Sequence, residues 1–542
     1  MKTIFSLFLA VVLAGCAGTN ETAAPAKPRL VVFFVVDGLP QRQVVDYRDQ
    51  LAPDGFRRFL DRGAWFADAH YGHSLTATAP GHATMLTGAY PHRTGIIGNE
   101  WRNPDTGEAV YCTGDTSATY IGHKTEKLDG TSPKNLRAET VGDVLKRVDG
   151  RSKVIAISGK DRGAILPAGK TGVAYMYMAE TGRFASTTHY MPAHPAWVKA
   201  FDESKPADRW FHKEWRPLLA DPGAYAKSLP DNQKWYAKGG ELPKRMGEEL
   251  DKPGPKYYRE LLATPFGDQL TLDFAAAAIA GEELGRDDSP DILSVSLSSH
   301  DYVNHAYSAE SRLSHDHVLQ LDRALALFFA ELDRVVGKDA YVAVLTADHG
   351  FMPAPDHSLT LGRNAGRQSG AQALTRLNAA LVKQFGEGNW AVGFSAYGLL
   401  LNRPLMAQRG VDRNAFGEAA RTQLLTEPGF AHAYTRAEIE SGSKAGAPYF
   451  DAVRKTWHPD RSADVQLVLK PYWSFTGGAP ATHGSPYPYD TNVPILFYGP
   501  KWVKPGRVDA RVEVVDIAPT LSGMLGVTPP PLSEGKALPL PR

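Results

Sequence analysis

The chain has 542 residues, of which 22% are charged and 43% hydrophobic, with 10 Trp, 22 Tyr and 22 Phe. That balance excludes a disordered chain, a collagen and a coiled coil, and the length suits one large α/β unit with insertions or two domains. Lys plus Arg number 60 against 59 Asp plus Glu, with no long basic run, so a small specific substrate is expected rather than nucleic acid.

The first segment reads as an export signal. Met1-Lys2 is basic, Ile4 to Ala14 is apolar but too short to span a bilayer, and Leu13-Ala14-Gly15-Cys16 follows. These four residues resemble a bacterial lipobox, in which Cys16 would become the acylated first residue of the mature chain. An ordinary secretory peptide is the alternative. Residues 1–16 are thus expected to be a lipoprotein signal peptide outside the fold, residues 17–28 to form a flexible tether, and the protein to be periplasmic, touching the membrane only through its lipid. If Cys16 carries lipid, Cys112 has no intrachain partner and no disulfide stabilises the chain.

Leu30 to Val36 is an unbroken apolar run ending at Asp37-Gly38, the pattern of a parallel strand covered on both faces. Val154 to Ser158, Ile292 to Leu297 and Val342 to Thr346 share it, each ending in polar residues. Helical patterns lie between them at Glu139 to Val148, Leu270 to Glu283 and His317 to Val336. The alternation predicts a doubly wound, mostly parallel central sheet over about residues 29–530, with ligands bound beyond the carboxyl ends of its strands. Two stretches break the pattern and are read as inserted cap regions. Residues 181–258 carry Trp197, Trp210, Trp215 and Trp235 and are expected beside the active face; residues 372–469 suggest a small α+β subdomain. Val493 to Tyr498 and Asp516 to Leu525 close the fold as a strand and a helix.

Several polar residues fall on the loops this sheet would cluster. Asp301 and His305 stand four apart, sharing a helical face where they could form a surface pair or reach one ion. Asp348-His349-Gly350 and Asp37 sit at strand ends, and His483 lies in Ala-Thr-His-Gly-Ser. Three Asp and three His suffice for two zinc sites of three protein ligands each. Thr78, in Thr-Ala-Thr-Ala-Pro-Gly-His-Ala-Thr, could open a helix whose free N–H groups favour phosphate, or serve only as a cap. Asn99 follows in Gly-Ile-Ile-Gly-Asn-Glu-Trp, and Lys160 and Arg162 in Ser-Gly-Lys-Asp-Arg.

In that joint order these ten positions resemble the alkaline phosphatase superfamily, and within it the PafA and Sphingomonas type of single-chain bacterial enzyme with a threonine nucleophile. The resemblance runs from Leu30 to near Leu525. It implies an alkaline-phosphatase-like fold and zinc-dependent hydrolysis of small phosphate monoesters through a phosphothreonine. Asp37, Asp348 and His349 would hold one Zn2+, and Asp301, His305 and His483 the other. Thr78 would be the nucleophile, while Asn99, Lys160 and Arg162 would bind phosphoryl oxygens. His82, His300, His315 and His317 have no ligand position in the pattern and are left as structural or surface groups. An alkaline optimum is implied, with Lys160 occupying the region of a separate magnesium set. Oligomeric state is open, with a monomer expected.

A nucleotide pyrophosphatase or phosphodiesterase shares the threonine, the asparagine and the six ligands, and is the alternative; it lacks the Lys-x-Arg pair. A sulfatase is disfavoured, because Thr78-Ala79-Pro80-Gly81-His82 has Thr at the modifiable position and His in place of Arg. A surface lipoprotein that binds metal or phosphate without turnover would be expected to lack part of this set.

Overall fold

A computed structural model describes residues 26–541. The segment expected to be a signal peptide, with Cys16, and most of the expected tether lie outside the described residues.

Nine strands form the central sheet: β1 (Leu30–Val36), β2 (Ala64–His70), β3 (Val154–Ser158), β4 (Val173–Met178), β5 (Arg183–Ala185), β6 (Asp291–Leu297), β7 (Tyr341–Thr346), β8 (Ile495–Tyr498) and β9 (Gly506–Glu513). Their order is β9-β2-β8-β7-β1-β6-β3-β4-β5. β1 is central, parallel to β6 on one side and to β7 on the other, with Val32 opposite Leu293 and Ala343. All seven of its residues are fully buried, which is why the segment is apolar without alternation. β8 runs antiparallel to β7 and β2, and β5 antiparallel to β4. The architecture is the doubly wound, mostly parallel sheet expected, with helices such as Pro265–Gly281 and Arg312–Val335 packed against it.

This topology gathers one edge of the sheet. β1, β3, β6 and β7 end there in Asp37, Lys160, Asp301 and Asp348-His349. The antiparallel β8 begins there, which brings its preceding loop, with His483, to the same side. β2 also ends at this edge, eight residues before Thr78.

A second sheet lies between residues 391 and 469, in the order 391–395, 398–401, 465–469, 430–435, all antiparallel. It has its own core, including Leu377, Trp390, Phe416 and Val465. The tryptophans of residues 181–258, expected beside the active face, divide between the core and that face. Trp215 is fully buried and donates to Asp316 Oδ2, Trp197 donates to Glu282 Oε1, and Trp210 stacks on Phe266 at 5.6 Å. These three support the core rather than wall an outer pocket. Only Trp235 packs beside Phe351, near the sheet's active edge. Cys112 is a buried free thiol.

Candidate active site

Seven of the ten sequence-predicted residues, Asp37, Asp301, Asp348, His305, His349, His483 and Lys160, form one network, in which each carboxylate and imidazole is anchored through one atom and leaves another for a ligand. Asp37 Oδ2 accepts from Lys160 Nζ at 2.7 Å, and Asp301 Oδ2 accepts from the same nitrogen at 2.5 Å. Asp348 Oδ1 accepts from Gly38 N at 3.0 Å. The other oxygens, Asp37 Oδ1, Asp301 Oδ1 and Asp348 Oδ2, are buried without a hydrogen-bond partner. The histidines repeat the pattern with nitrogen. His305, His349 and His483 each place Nδ1 against a backbone carbonyl, of Ala481, Gly350 and Thr76, at 2.9, 2.9 and 2.8 Å. Their Nε2 atoms converge on the bare carboxylate oxygens. His349 Nε2 lies 3.5 Å from Asp37 Oδ1 and 3.6 Å from Asp348 Oδ2; His305 and His483 Nε2 lie 3.3 and 3.6 Å from Asp301 Oδ1.

Nδ1–H bonds of this kind fix the tautomer that leaves Nε2 as a lone-pair donor, and unpaired buried oxygens are costly unless a cation satisfies them. Two such groups emerge: Asp37, Asp348 and His349 in one, Asp301, His349 and His483 in the other. His305 joins the second through its contact with Asp301. The nitrogen and oxygen donors fit zinc chemically.

Charge supports the same reading. Burial, followed by the neighbouring Asp348 carboxylate, pushes Asp37 well above the usual carboxylate range. Asp301 is the converse: burial raises it, but His305, Lys160 and His483 together hold it well below that range. Burial pushes His305 and His483 below the ordinary imidazole value, which favours the form in which a ring nitrogen presents a lone pair.

Local sequence explains how the elements meet. Gly38 follows β1 with φ +70°, and a Cβ there would stand 3.2 Å from Asp301 Oδ1, so the turn needs glycine. Asp301 and His305 lie on the helix Ser299–Tyr307, one turn apart. Thr78 begins the helix Thr78–Thr87 and is buried, as is every residue of that helix. Asn99 Oδ1 accepts from Ala79 N at 2.8 Å, tying the asparagine to the helix start and leaving Nδ2 as a free donor. Arg162 is near but separate, held by Tyr111.

Some contributors carried no sequence signal. His82 is not a surface group: its Nδ1 meets Thr78 O at 2.8 Å and Asp348 Oδ2 at 3.3 Å, and its Nε2 meets Ser296 Oγ at 2.9 Å. Asn304 donates to Gly38 O. Tyr302 lies under Lys160 Nζ, 4.8 Å from the ring centre. Asp490 accepts from Gly484 N and Ser485 N, and so shapes the loop of His483. His300, His315 and His317 are buried as well, outside the two ligand groups.

A model of the type I phosphodiesterase / nucleotide pyrophosphatase family matches residues 31–486. The alkaline phosphatase PafA of Elizabethkingia meningoseptica is 33% identical over 541 residues, covering 97% of each chain. A Myroides odoratus protein named calcium-transporting ATPase is 34% identical over 512 residues, covering 92% of each. The crystal structure of wild-type PafA superposes with a TM-score of 0.88 at 32% identity, covering 95% of this chain and 99% of that one. With its fold and its facing carboxylates and imidazoles, the chain belongs to the type I phosphodiesterase / nucleotide pyrophosphatase family of the alkaline phosphatase superfamily, among the alkaline phosphatases of the PafA type.

Proposed function

We propose that this alkaline phosphatase hydrolyses phosphate monoesters in two displacements through a phosphothreonine on Thr78, with two zinc ions held by Asp37, Asp348 and His349 and by Asp301, His305 and His483. The carrying observation is the set of buried, unpartnered ligand atoms, Asp37 Oδ1, Asp301 Oδ1, Asp348 Oδ2 and His349 Nε2, facing one another at one edge of the sheet. Bound there, two such cations would supply Lewis acidity to a phosphoryl group and make hydroxyls available as nucleophiles near neutral pH.

The rest is supplied by the chain. Thr78 sits where a helix begins, but Ala79 N already donates to Asn99 Oδ1, residue 80 is a proline without an N–H, and Gly81 N donates to Ala77 O, so this helix start offers the phosphoryl group the Thr78 hydroxyl rather than a run of free N–H groups. In the first displacement the Thr78 Oγ–P bond forms as the ester P–O bond breaks, and the alcohol departs with a proton. In the second, hydroxide attacks phosphorus, the Oγ–P bond breaks, and inorganic phosphate leaves. Two inversions give net retention at phosphorus. Asn99 Nδ2, the third proton of Lys160 Nζ and one edge of Arg162 bind nonbridging oxygens, where phosphoryl transfer offers the protein most of its leverage. A monoester dianion carries more charge on those oxygens than a diester, so Lys160 and Arg162 favour monoesters.

Removal of a terminal phosphate from a nucleoside triphosphate is the same reaction at the same site, and accommodates the ATPase half of the Myroides name. Among the described residues no helix is long and apolar enough to cross a membrane. Export, with lipid on Cys16, completes the proposal and rests on the lipobox-like sequence. Fatty-acid labelling that persists in Cys16→Ala would remove the lipid assignment.

The test compares kcat/KM on p-nitrophenyl phosphate and bis-p-nitrophenyl phosphate for wild type and Thr78→Ala. A strong monoester preference and near-complete loss of turnover in the variant are expected. A diester preference would move the protein to the phosphodiesterase reading, and full activity without Thr78 would eliminate the phosphothreonine.

A further inference from the structure

Arg162 makes no hydrogen bond to the ligand network, and something else must hold it. A guanidinium has three nitrogens, and the edge formed by Nε and Nη2 matches two oxygens of a phosphoryl group. Which edge faces the substrate depends on what occupies the remaining nitrogen. Arg162 Nη1 donates to the Tyr111 hydroxyl at 3.1 Å. Arg162 Nε is buried and without a partner, and Nη2 makes no hydrogen bond to any described residue.

Tyr111 is itself held. Its hydroxyl donates to Asp161 Oδ1 at 2.6 Å, and Asp161 Oδ2 accepts from Gly130 N at 2.9 Å. Asp161 Oδ1 also accepts from Arg162 N at 2.6 Å. A hydroxyl that donates to a carboxylate has only lone pairs left, so Tyr111 can meet Arg162 solely as acceptor. Burial, and then Asp161, push the Tyr111 phenol far up, so it remains an O–H donor at alkaline pH. The backbone makes room for the relay: a Cβ on Gly130 would stand 2.2 Å from Asp161 Oδ2 and 2.3 Å from Thr113 Oγ1.

We propose that Tyr111, backed by Asp161 and Gly130, is a positioning residue that binds Nη1 of Arg162 and so presents the Nε/Nη2 edge to the phosphoryl group. The middle residue of Lys160-Asp161-Arg162 is on this reading part of the device. The inference rests on Arg162 being a phosphoryl ligand, as proposed above.

A double-mutant cycle on the zinc-loaded enzyme tests it, with Tyr111→Phe, Arg162→Ala and the pair, on p-nitrophenyl phosphate and bis-p-nitrophenyl phosphate. Tyr111→Phe keeps the ring and removes the acceptor. It should lower monoester kcat/KM by about 10- to 100-fold, the scale of a mispositioned binding group, and lower diester kcat/KM much less. Added to Arg162→Ala, it should cost nothing further, because Tyr111 acts through the guanidinium. Inhibition by inorganic phosphate should weaken in parallel. Asp161→Ala, which removes the acceptor of the Tyr111 hydroxyl, should give the same pattern and covers the case of a poorly folded Tyr111→Phe. Unchanged monoester kcat/KM in both variants, equal losses on both substrates, or a full extra loss in the Arg162→Ala background would each overturn the proposal. If Arg162→Ala itself leaves monoesters untouched while Thr78→Ala abolishes turnover, the relay falls and the nucleophile assignment stands.

Discussion

Gly81 offers the sharpest test of how Thr78, the proposed nucleophile, is placed against the proposed ligand network. It lies on the first turn of the helix that starts at Thr78, and that turn presses on the loop carrying Asp348 and His349. A Cβ at Gly81 would stand 2.2 Å from the Asp348 carbonyl oxygen, 2.8 Å from its carbon and 2.9 Å from its Cα. All three are backbone atoms, so no rotamer change relieves the clash. Ordinary contact resumes near 3.4 Å, so helix and loop must part by about 1 Å in Gly81→Ala. Overpacking of this kind costs about 1–3 kcal/mol, and a 1 Å error between nucleophile and reacting centre costs about 100-fold in rate. The assay is kcat/KM on p-nitrophenyl phosphate with denaturant unfolding and zinc content measured alongside. Gly254→Ala is the control, since its Cβ meets nothing within 4 Å. The reasoning is refuted if Gly81→Ala stays within twofold of wild type in kcat/KM with unchanged stability.

Three further outcomes are expected. Exhaustive chelation should abolish turnover and lower the unfolding midpoint, with about 4 kcal/mol lost where free zinc had stood a thousandfold above its dissociation constant; readdition should restore both, and activity with less than one zinc per chain would contradict the assignment. Lys160→Ala should leave Asp37 and Asp301 without their shared cation, destabilising the metal-free protein by about 3–5 kcal/mol in denaturant unfolding and reducing the monoester-to-diester ratio of the loaded enzyme. Burial raises Asp202 to about 6, so the folded state keeps a proton that the unfolded chain releases near its ordinary value. Stability from this group is therefore lost as pH rises through that interval. Asp202→Asn, whose amide oxygen can still accept from Phe184 N, should unfold at a higher temperature than wild type above pH 6 and at a similar one near pH 4.

Legibility in the sequence followed burial and chain separation. β1, β3, β6 and β7 were readable because strands covered on both faces must be apolar throughout, and their polar successors marked the functional edge. Helix starts were less clear. The helix Arg312–Val335 begins five residues before its apolar periodicity suggested, with Ser311 capping Ser314 N, and Pro265 opens another five residues early. The strand 391–395 escaped notice because it pairs locally around an Ala396-Tyr397 turn with φ of +44° and +58°, where a glycine would ordinarily announce the bend. Aromatic richness misled for residues 181–258, since the indole N–H groups of Trp197 and Trp215 have acceptors far along the chain, at Glu282 and Asp316. His82 and Tyr111 were silent for the same reason. Apart from the Thr78 carbonyl one turn before His82, their partners lie tens to hundreds of residues away, and neither falls in a spacing that names a role.

On the proposed function, charge explains why metal ligands and phosphoryl-binding cations are distinct parts of the site. Asp37, Asp301 and Asp348 crowd three carboxylates into one buried region, with Lys160 shared between two of them. Two divalent cations held there would attract any phosphoryl ester that reaches them. Discrimination between a monoester and a diester must therefore come from groups that count the oxygens. Lys160 is poorly suited to do this alone, since two of its three protons are committed to Asp37 and Asp301. Arg162, with Nη1 tied to Tyr111 and two nitrogens left free, is the group that can bind a pair of unesterified oxygens, and the substrate preference should follow its orientation more closely than the identity of any metal ligand.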